Sequence, residues 1–336
     1  MQKRLKQLYE AIGKAKTILI LPHNDPDPDA IASALALRHL LATKLGVEGQ
    51  IVYRGIVGRA ENKVLVRHLE HPLRRLTAAD LNSTLPIAVV DTQPGAGNCA
   101  LPPGRIPILV FDHHPWREET TAAAFADVRP DAGATATILT EYLRAAGIEP
   151  VPLLATALYY GIKTDTLGLG RGAGPADVTA YFYLQSRIHV DALAEIEHAQ
   201  VPIGYYRRLD AALHAARIYG NVVVSYIGPM THPDLAAEIA DFMLRLRAIQ
   251  WVICLGTYKD TLIVAVRTKS RRRGGAANLL QEIMGEAGTA GGHTTMAGGQ
   301  LPLEGQHPEL VAEQLVQRAL EYLQAPAEEM IKLLSN

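Results

Sequence analysis

Apolar residues along the chain fall into short uninterrupted runs separated by stretches with helical spacing. Residues 2–15 carry Leu5, Leu8, Tyr9 and Ile12 on one helical face. TILIL (17–21) is too brief for a helix and is stopped by Pro22, which predicts a buried strand. A helix over 29–45 follows, with Ile31, Ala34, Leu35, Leu37 and Leu41 as its apolar stripe. QIVY (50–53), PIAVV (86–90) and IPILVF (106–111) are further buried-strand candidates, and helices are predicted around 133–147, 152–163, 175–188 and 191–199. Strands alternating with helices imply right-handed crossovers and a mostly parallel sheet. The pattern changes near residue 200. A helix within 201–219 precedes the strand NVVVSYI (221–227), a helix over 232–247, and the runs WVICLGTY and TLIVAVRT, paired across Lys259-Asp260. A helix near 276–287, a Gly-rich segment, a strand over 297–303 and a helix over 308–323 follow. The expected fold class is α/β. A mostly parallel sheet flanked by helices occupies 1–190, a connecting helix 191–215, and a smaller α/β domain 216–325.

Composition narrows the function classes. The 336 residues include 33 Lys+Arg and 34 Asp+Glu, with 48% hydrophobic and 20% charged residues. That balance suits a packed globular protein and excludes a basic, whole-surface nucleic-acid binder. Cys99 and Cys254 stand alone and far apart, which excludes a Cys-rich zinc site and a disulfide framework. No apolar run approaches the roughly 18 residues of a membrane span. The basic N-terminus lacks the apolar core of a signal peptide. A reducing, cytoplasmic setting without a membrane partner is the expectation.

Chemistry concentrates where the predicted strands end. LPHNDPDPDAIAS (21–33) packs His23, Asp25, Asp27 and Asp29 into one strand-to-helix turn. Carboxylates this close repel one another unless a cation or protons offset them. If the segment is extended, Asp27 and Asp29 alternate onto one side; a solvated loop with Asp29 as helix N-cap is the plainer alternative. FDHHP (111–115) places Asp112, His113 and His114 directly after a strand, and Asp91 ends another. In an open parallel sheet, ligands gather outside the carboxyl ends of the strands. Asp165 in YYGIKTDTLG joins these groups as a further candidate. Mixed carboxylate and imidazole donors suit Mn²⁺ or Mg²⁺ better than a structural zinc. There are more carboxylates than one ion needs. Two ions sharing a bridging carboxylate would use them, activating a water and stabilising a leaving phosphoryl oxygen.

These residues resemble the DHH phosphoesterase superfamily, through HNDPDPDA (23–30), VVDTQ (89–93), DHHP (112–115) and GIKTDT (161–166) in family order. The second domain resembles the DHHA1 domain through AVRTKS (265–270) and GGHTTMAGG (291–299). The resemblance implies one metal site of His23, Asp27 and Asp91, and another of Asp29, Asp91, His113 and Asp165, with Asp91 bridging. It implies that His114 contacts the scissile phosphate and that Asp112 orients the histidines. Asp25 falls at a variable position and is not assigned as a ligand, and Pro28 stands where many relatives have Gly. Arg267, Gly291, Gly292 and His293 are implied to bind the nucleotide or terminal phosphate. Arg271, Arg272 and Arg273, followed by Gly274 and Gly275, could present further donors to phosphate, although each arginine singly reads as a solvated turn residue.

Two divalent ions, Mn²⁺ before Mg²⁺, are the implied cofactors. The nearest likeness is to the stand-alone nanoRNase/pAp-phosphatase type, which acts on short RNA or DNA oligonucleotides and small phosphorylated nucleotides. RecJ-type exonucleases are larger, family II pyrophosphatases have a different second domain, and membrane-bound cyclic-di-AMP phosphodiesterases carry transmembrane segments. A stand-alone cyclic-dinucleotide (c-di-AMP/pApA) phosphodiesterase, an exopolyphosphatase and a non-catalytic nucleotide sensor are the alternatives. A homodimer is left open.

Overall fold

The computed structural model describes residues 1–270, 274–285, 287–292 and 294–334. It divides into two compact units, Met1–Ala199 and Gln200–Asn336. The segment expected to connect them is split between the two. Helix α8 (Val190–Glu197) packs on α3 (Ala60–His68) and α6 (Pro152–Thr166) of the first unit, and α9 (Ile203–Ala215) packs on β8 (Val222–Pro229) of the second.

The first unit is built on a six-stranded, all-parallel sheet in the order β3 (Leu73–Arg75), β2 (Glu48–Tyr53), β1 (Thr17–Pro22), β4 (Ile87–Val90), β5 (Leu109–Asp112), β6 (Phe125–Val128). The chain leaves β1 in one direction for β2 and β3, then returns to its other side for β4, β5 and β6. The topological switch therefore lies between β1 and β4, where ligands bind in open α/β sheets. Alternation decides what each strand buries. Ile18, Ile20, Ala88 and Val90 face a core shared with α1 (Gln2–Ile12), α2 (Pro28–Leu45), α5 (Thr135–Ala145) and α6. Leu19, Leu21, Ile87 and Val89 face a smaller cluster completed by Leu76, Leu85, Cys99 and Leu101. Burial on both faces explains why these strands read as uninterrupted apolar runs.

Asp127 gave no sequence signal. It lies in β6, fully buried, and accepts from Arg129 Nε at 2.8 Å, Arg129 Nη2 at 2.7 Å and the Tyr142 hydroxyl at 2.7 Å. Burial opposes its ionisation, but the hydrogen bonds and charge of Arg129, with Tyr142 and Arg4, outweigh it and hold the carboxyl below the usual range. A group depressed on folding stabilises above its unfolded value, about 4, and that contribution is lost as pH falls through the folded value. Asp127→Ala should cost about 1–3 kcal/mol, because the buried Tyr142 hydroxyl loses its acceptor and Arg129 keeps only Glu141, at 2.6 Å, as its carboxylate partner. Urea midpoints of wild type should fall below about pH 4, and those of the variant should fall less steeply.

The second unit is a seven-stranded mixed sheet in the order β11 (Thr289–Gly292), β12 (Met296–Pro302), β10 (Thr261–Thr268), β9 (Trp251–Tyr258), β8, β7 (Arg217–Tyr219), β13 (Ile331–Lys332). Among the described residues of this unit, only β8 and β9 pair in parallel. The expected hairpin joins β9 to β10, with Lys259 at a φ of 55° in the turn. Helices α11 (Gly275–Met284) and α12 (Pro308–Leu323) cover one face, and α9 and α10 (Leu235–Met243) the other. No helix among the described residues is long and apolar enough to cross a membrane.

Candidate metal centre

Three strand ends and two helices deliver the predicted groups to one place. After β1, the turn 23–27 is tied on both sides: Asn24 N–H donates to Asn98 O at 2.7 Å, and Asp25 N–H to Arg54 O at 3.0 Å. The Asp25 carboxylate accepts from Ile56 N–H at 2.8 Å. Asp25 therefore braces the turn from the β2 side. A Cβ at Gly55 would overlap the Asp25 carboxylate, so this bracing needs glycine there.

Helix α2 begins at Pro28, and its N-cap is Asp27, which accepts from Ala30 N–H at 3.0 Å. The cap is therefore Asp27 and not Asp29. Two-residue alternation also fails here, because the helix has already started. Asp27 and Asp29 consequently face different partners. Donor atoms of His23, Asp27 and Asp91 lie within 4.8 Å of one another, as do those of Asp29, His113 and Asp165. Asp91, His113 and His114 form a third such group.

Asp91 follows β4 with a φ of 59°, a backbone state uncommon outside glycine and enriched at functional sites. Asp165 comes from the last turn of α6. That helix can approach α2 because Gly161 has no side chain: a Cβ there would stand 3.0 Å from Asp29 Cα. Asp165 lies one turn further along the same face, beside Asp29.

His23 and His113 repeat one arrangement. His23 Nδ1 lies 2.8 Å from Asn24 O, and His113 Nδ1 lies 3.3 Å from Ala132 O. A carbonyl only accepts, so each Nδ1 carries the proton and each Nε2 presents its other face. His23 Nε2 stands 3.6 Å from Asp27 Oδ1 and 3.6 Å from Asp91 Oδ2. His113 Nε2 stands 3.5 Å from Asp91 Oδ1 and 3.5 Å from Asp165 Oδ2. These separations are too long for good hydrogen bonds. They suit donors about 2 Å from a shared cation, with the histidines fixed from behind by backbone carbonyls.

Electrostatics agree. Burial, then the neighbouring carboxylates, pushes Asp29 and Asp165 well above the usual range. Burial and the Asp27 charge raise Asp91 to about 6. Burial and the His114 charge lower His113 to about 4, keeping it a neutral imidazole. At His23, burial favours the neutral ring, but Asp27 and Asp91 outweigh it and raise the value; Asp27 is lowered in return. Clustered carboxylates that hold protons for want of positive charge are a donor set a divalent cation fits.

Asp112 and His114 stand beside this cluster in a different relation. Asp112 Oδ1 accepts from His114 Nδ1 at 2.8 Å and from His113 N–H at 2.9 Å. Its Oδ2 accepts from Gln93 Nε2 at 2.7 Å. Gln93 Oε1 in turn accepts from Arg117 N–H and the Thr120 hydroxyl. Asp112 thus orients the His114 ring, while the ring of His113 is held by Ala132. The His114 side chain is 32% exposed against 4% for His113.

In the second unit, Arg267 is buried. Its Nε donates to Asp241 at 2.6 Å and its Nη1 to Val266 O at 3.1 Å. Arg267 pairs with Met296, and the adjoining Ala297 pairs with Gly292, so Arg267 and the exposed Gly291 and Gly292 lie at the same end of the sheet on either side of β12. His293 and Arg271–Arg273 lie outside the described residues.

Sequence reasoning missed Thr135, Gln93, Asp177 and Asp241. Gln93 stands inside VVDTQ, two residues after Asp91, as an uncharged amide that no local pattern marks. Thr135 sits in a run of small residues that carries no chemical signal.

Comparison with known proteins gives two family matches: DHH family, N-terminal domain, over residues 17–162, and DHHA1 domain over 219–324. The uncharacterized protein MJ1633 of Methanocaldococcus jannaschii is 37% identical over 310 residues, covering 90% of this chain and 62% of that protein. Cyclic-di-AMP phosphodiesterase PdeA of Listeria monocytogenes is 25% identical over 312 residues, covering 88% of this chain and 46% of that protein. The chain thus spans less than two thirds of either curated relative. The crystal structure of an exopolyphosphatase-related protein from Bacteroides fragilis has the same fold, with a TM-score of 0.73 at 16% identity over 96% of this chain and 97% of that one.

Proposed function

The chain belongs to the DHH phosphoesterase family and carries a DHHA1 domain, and from that premise we propose that it hydrolyses short oligonucleotides to 5′-mononucleotides, and pAp to AMP, with divalent metal ions. One observation carries the reading: His23 and His113 each hold Nε2 between two carboxylates at 3.5–3.6 Å. His23, Asp27 and Asp91 would hold one ion, and Asp29, Asp91, His113 and Asp165 the other. Bound there, divalent ions supply Lewis-acid polarisation of the phosphoryl group and of the attacking water. The chain's own residues supply the rest. Asn24 O and Ala132 O keep both histidines in the tautomer that offers Nε2. Asp112 fixes the His114 ring through Nδ1, and that ring would meet a phosphoryl oxygen and offset its growing charge. In the second unit, Arg267 with Gly291, Gly292 and His293 would bind the nucleotide or terminal phosphate.

A cyclic-dinucleotide phosphodiesterase is the second reading, favoured by the likeness to PdeA across most of this chain. One panel separates the two: the full chain with Mn²⁺ or Mg²⁺, offered pApA, longer RNA, pAp, cyclic-di-AMP and polyphosphate. We expect kcat/KM for pApA and pAp to exceed the rest by at least about tenfold, a difference of about 1.4 kcal/mol. Preference for cyclic-di-AMP would establish the second reading. Tight binding with no hydrolysis of any member would make the protein a sensor.

A further inference from the structure

One buried threonine touches a candidate ligand from each metal group. Thr135 is the first residue of α5 and is fully buried. Its hydroxyl donates to Asp91 Oδ1 at 2.8 Å, and its N–H donates to Asp29 Oδ2 at 2.7 Å. Ala136 N–H donates to the other oxygen of Asp29, also at 2.7 Å. The segment is itself fixed from outside the cluster. Asp177, fully buried, accepts from Gly133 N–H at 2.8 Å and from the Thr137 hydroxyl at 2.6 Å.

The hydroxyl contact has a consequence for Asp91. That carboxylate presents Oδ2 to His23 and Oδ1 to His113. The terminal torsion of an aspartate is broad and roughly two-fold, so nothing intrinsic to Asp91 holds this division. The Thr135 hydroxyl bonds one oxygen only and so selects the rotation in which each oxygen faces a different histidine.

We propose that Thr135 is a positioning residue that holds Asp91 in its bridging orientation and thereby couples uptake of the two metal ions. The proposal rests on the two-ion reading of the site. Asp29, fixed by the N–H of the same residue, keeps the second ligand group in register with the bridge. Substitution should weaken one ion selectively, because His23 and Asp27 are held by contacts that do not involve Thr135.

The test is calorimetric titration of Mn²⁺ into the metal-free full chain, with melting temperatures recorded in chelator and in Mn²⁺. Wild type should take up two ions per chain. Thr135→Val, which keeps the methyl and loses the hydroxyl, should bind one of them about 10–100-fold more weakly, the usual effect of losing a contact that orients a ligand. Its melting temperature should gain less from Mn²⁺ than that of wild type. Thr135→Ser should bind both ions as wild type does, although it loses a buried methyl. If Thr135→Val does not fold, Thr135→Ala is read by the same criterion. Two ions bound with wild-type affinity after loss of the hydroxyl would overturn the role of Thr135 and leave the two-ion reading standing. A wild-type chain that takes up no Mn²⁺ would overturn both.

Discussion

Asp91→Asn should leave a folded chain whose hydrolysis of its best substrate is at least about 10²-fold slower, beyond the 10–100-fold typical of residues that only orient a ligand. Three features make the effect large. Asp91 offers one oxygen toward His23 and the other toward His113, so one substitution weakens both ligand groups. It is 2% exposed, so water cannot replace the missing charge. Its left-handed backbone is tolerated by asparagine better than by most residues, so the loss falls on chemistry more than on folding. The amide keeps one acceptor and replaces the other with a donor that cannot bind a cation. Calorimetry with Mn²⁺ should show at least one ion fewer per chain. Near-normal turnover in saturating Mn²⁺ would remove Asp91 from the bridge.

How far the amino-acid sequence reaches is visible at this same cluster. The strands β1, β4 and β5 are legible because they are buried on both faces and interrupted by nothing polar. The groups at their ends are legible because charge following an apolar strand is conspicuous. Strands β3 and β6 are not, because LRR and FADV carry charge. In FADV the charged residue is Asp127, which folding buries among Arg129 and Tyr142. Alternation through 27–29 misleads because Pro28 already opens the helix, and only the cap bond from Ala30 to Asp27 shows this. Thr135 and Asp177 stay hidden for a different reason. They lie 44 and 86 residues along the chain from Asp91, and their roles arise only when α5 sets its first turn against Asp29. Arg267 reads as a strand-end cation, but nothing local shows that Asp241 and backbone carbonyls hold it buried. Local pattern records burial and charge. It does not record which side chain a distant helix start will touch.

His114→Ala should separate the phosphate-facing histidine from the ligands. His113 and His114 are adjacent in sequence, yet their surroundings differ. His113 is almost fully buried, its Nδ1 on a backbone carbonyl and its Nε2 between Asp91 and Asp165. His114 is partly exposed, its Nδ1 on the Asp112 carboxylate, which Gln93 fixes in turn. A carboxylate behind an imidazole sets its tautomer and favours the charged ring, which suits a group that donates toward a phosphoryl oxygen. Removing such a donor should lower kcat about 10²–10⁴-fold. Mn²⁺ affinity and the number of ions bound should stay at their wild-type values. Asp112→Asn should reproduce part of the kcat loss, since it releases the ring without removing it. His114 does share a group of close donor atoms with Asp91 and His113, and this supplies the opposing outcome. If His114→Ala loses an ion in parallel with its activity, His114 is itself a ligand, and the contact with the scissile phosphate must come from another residue.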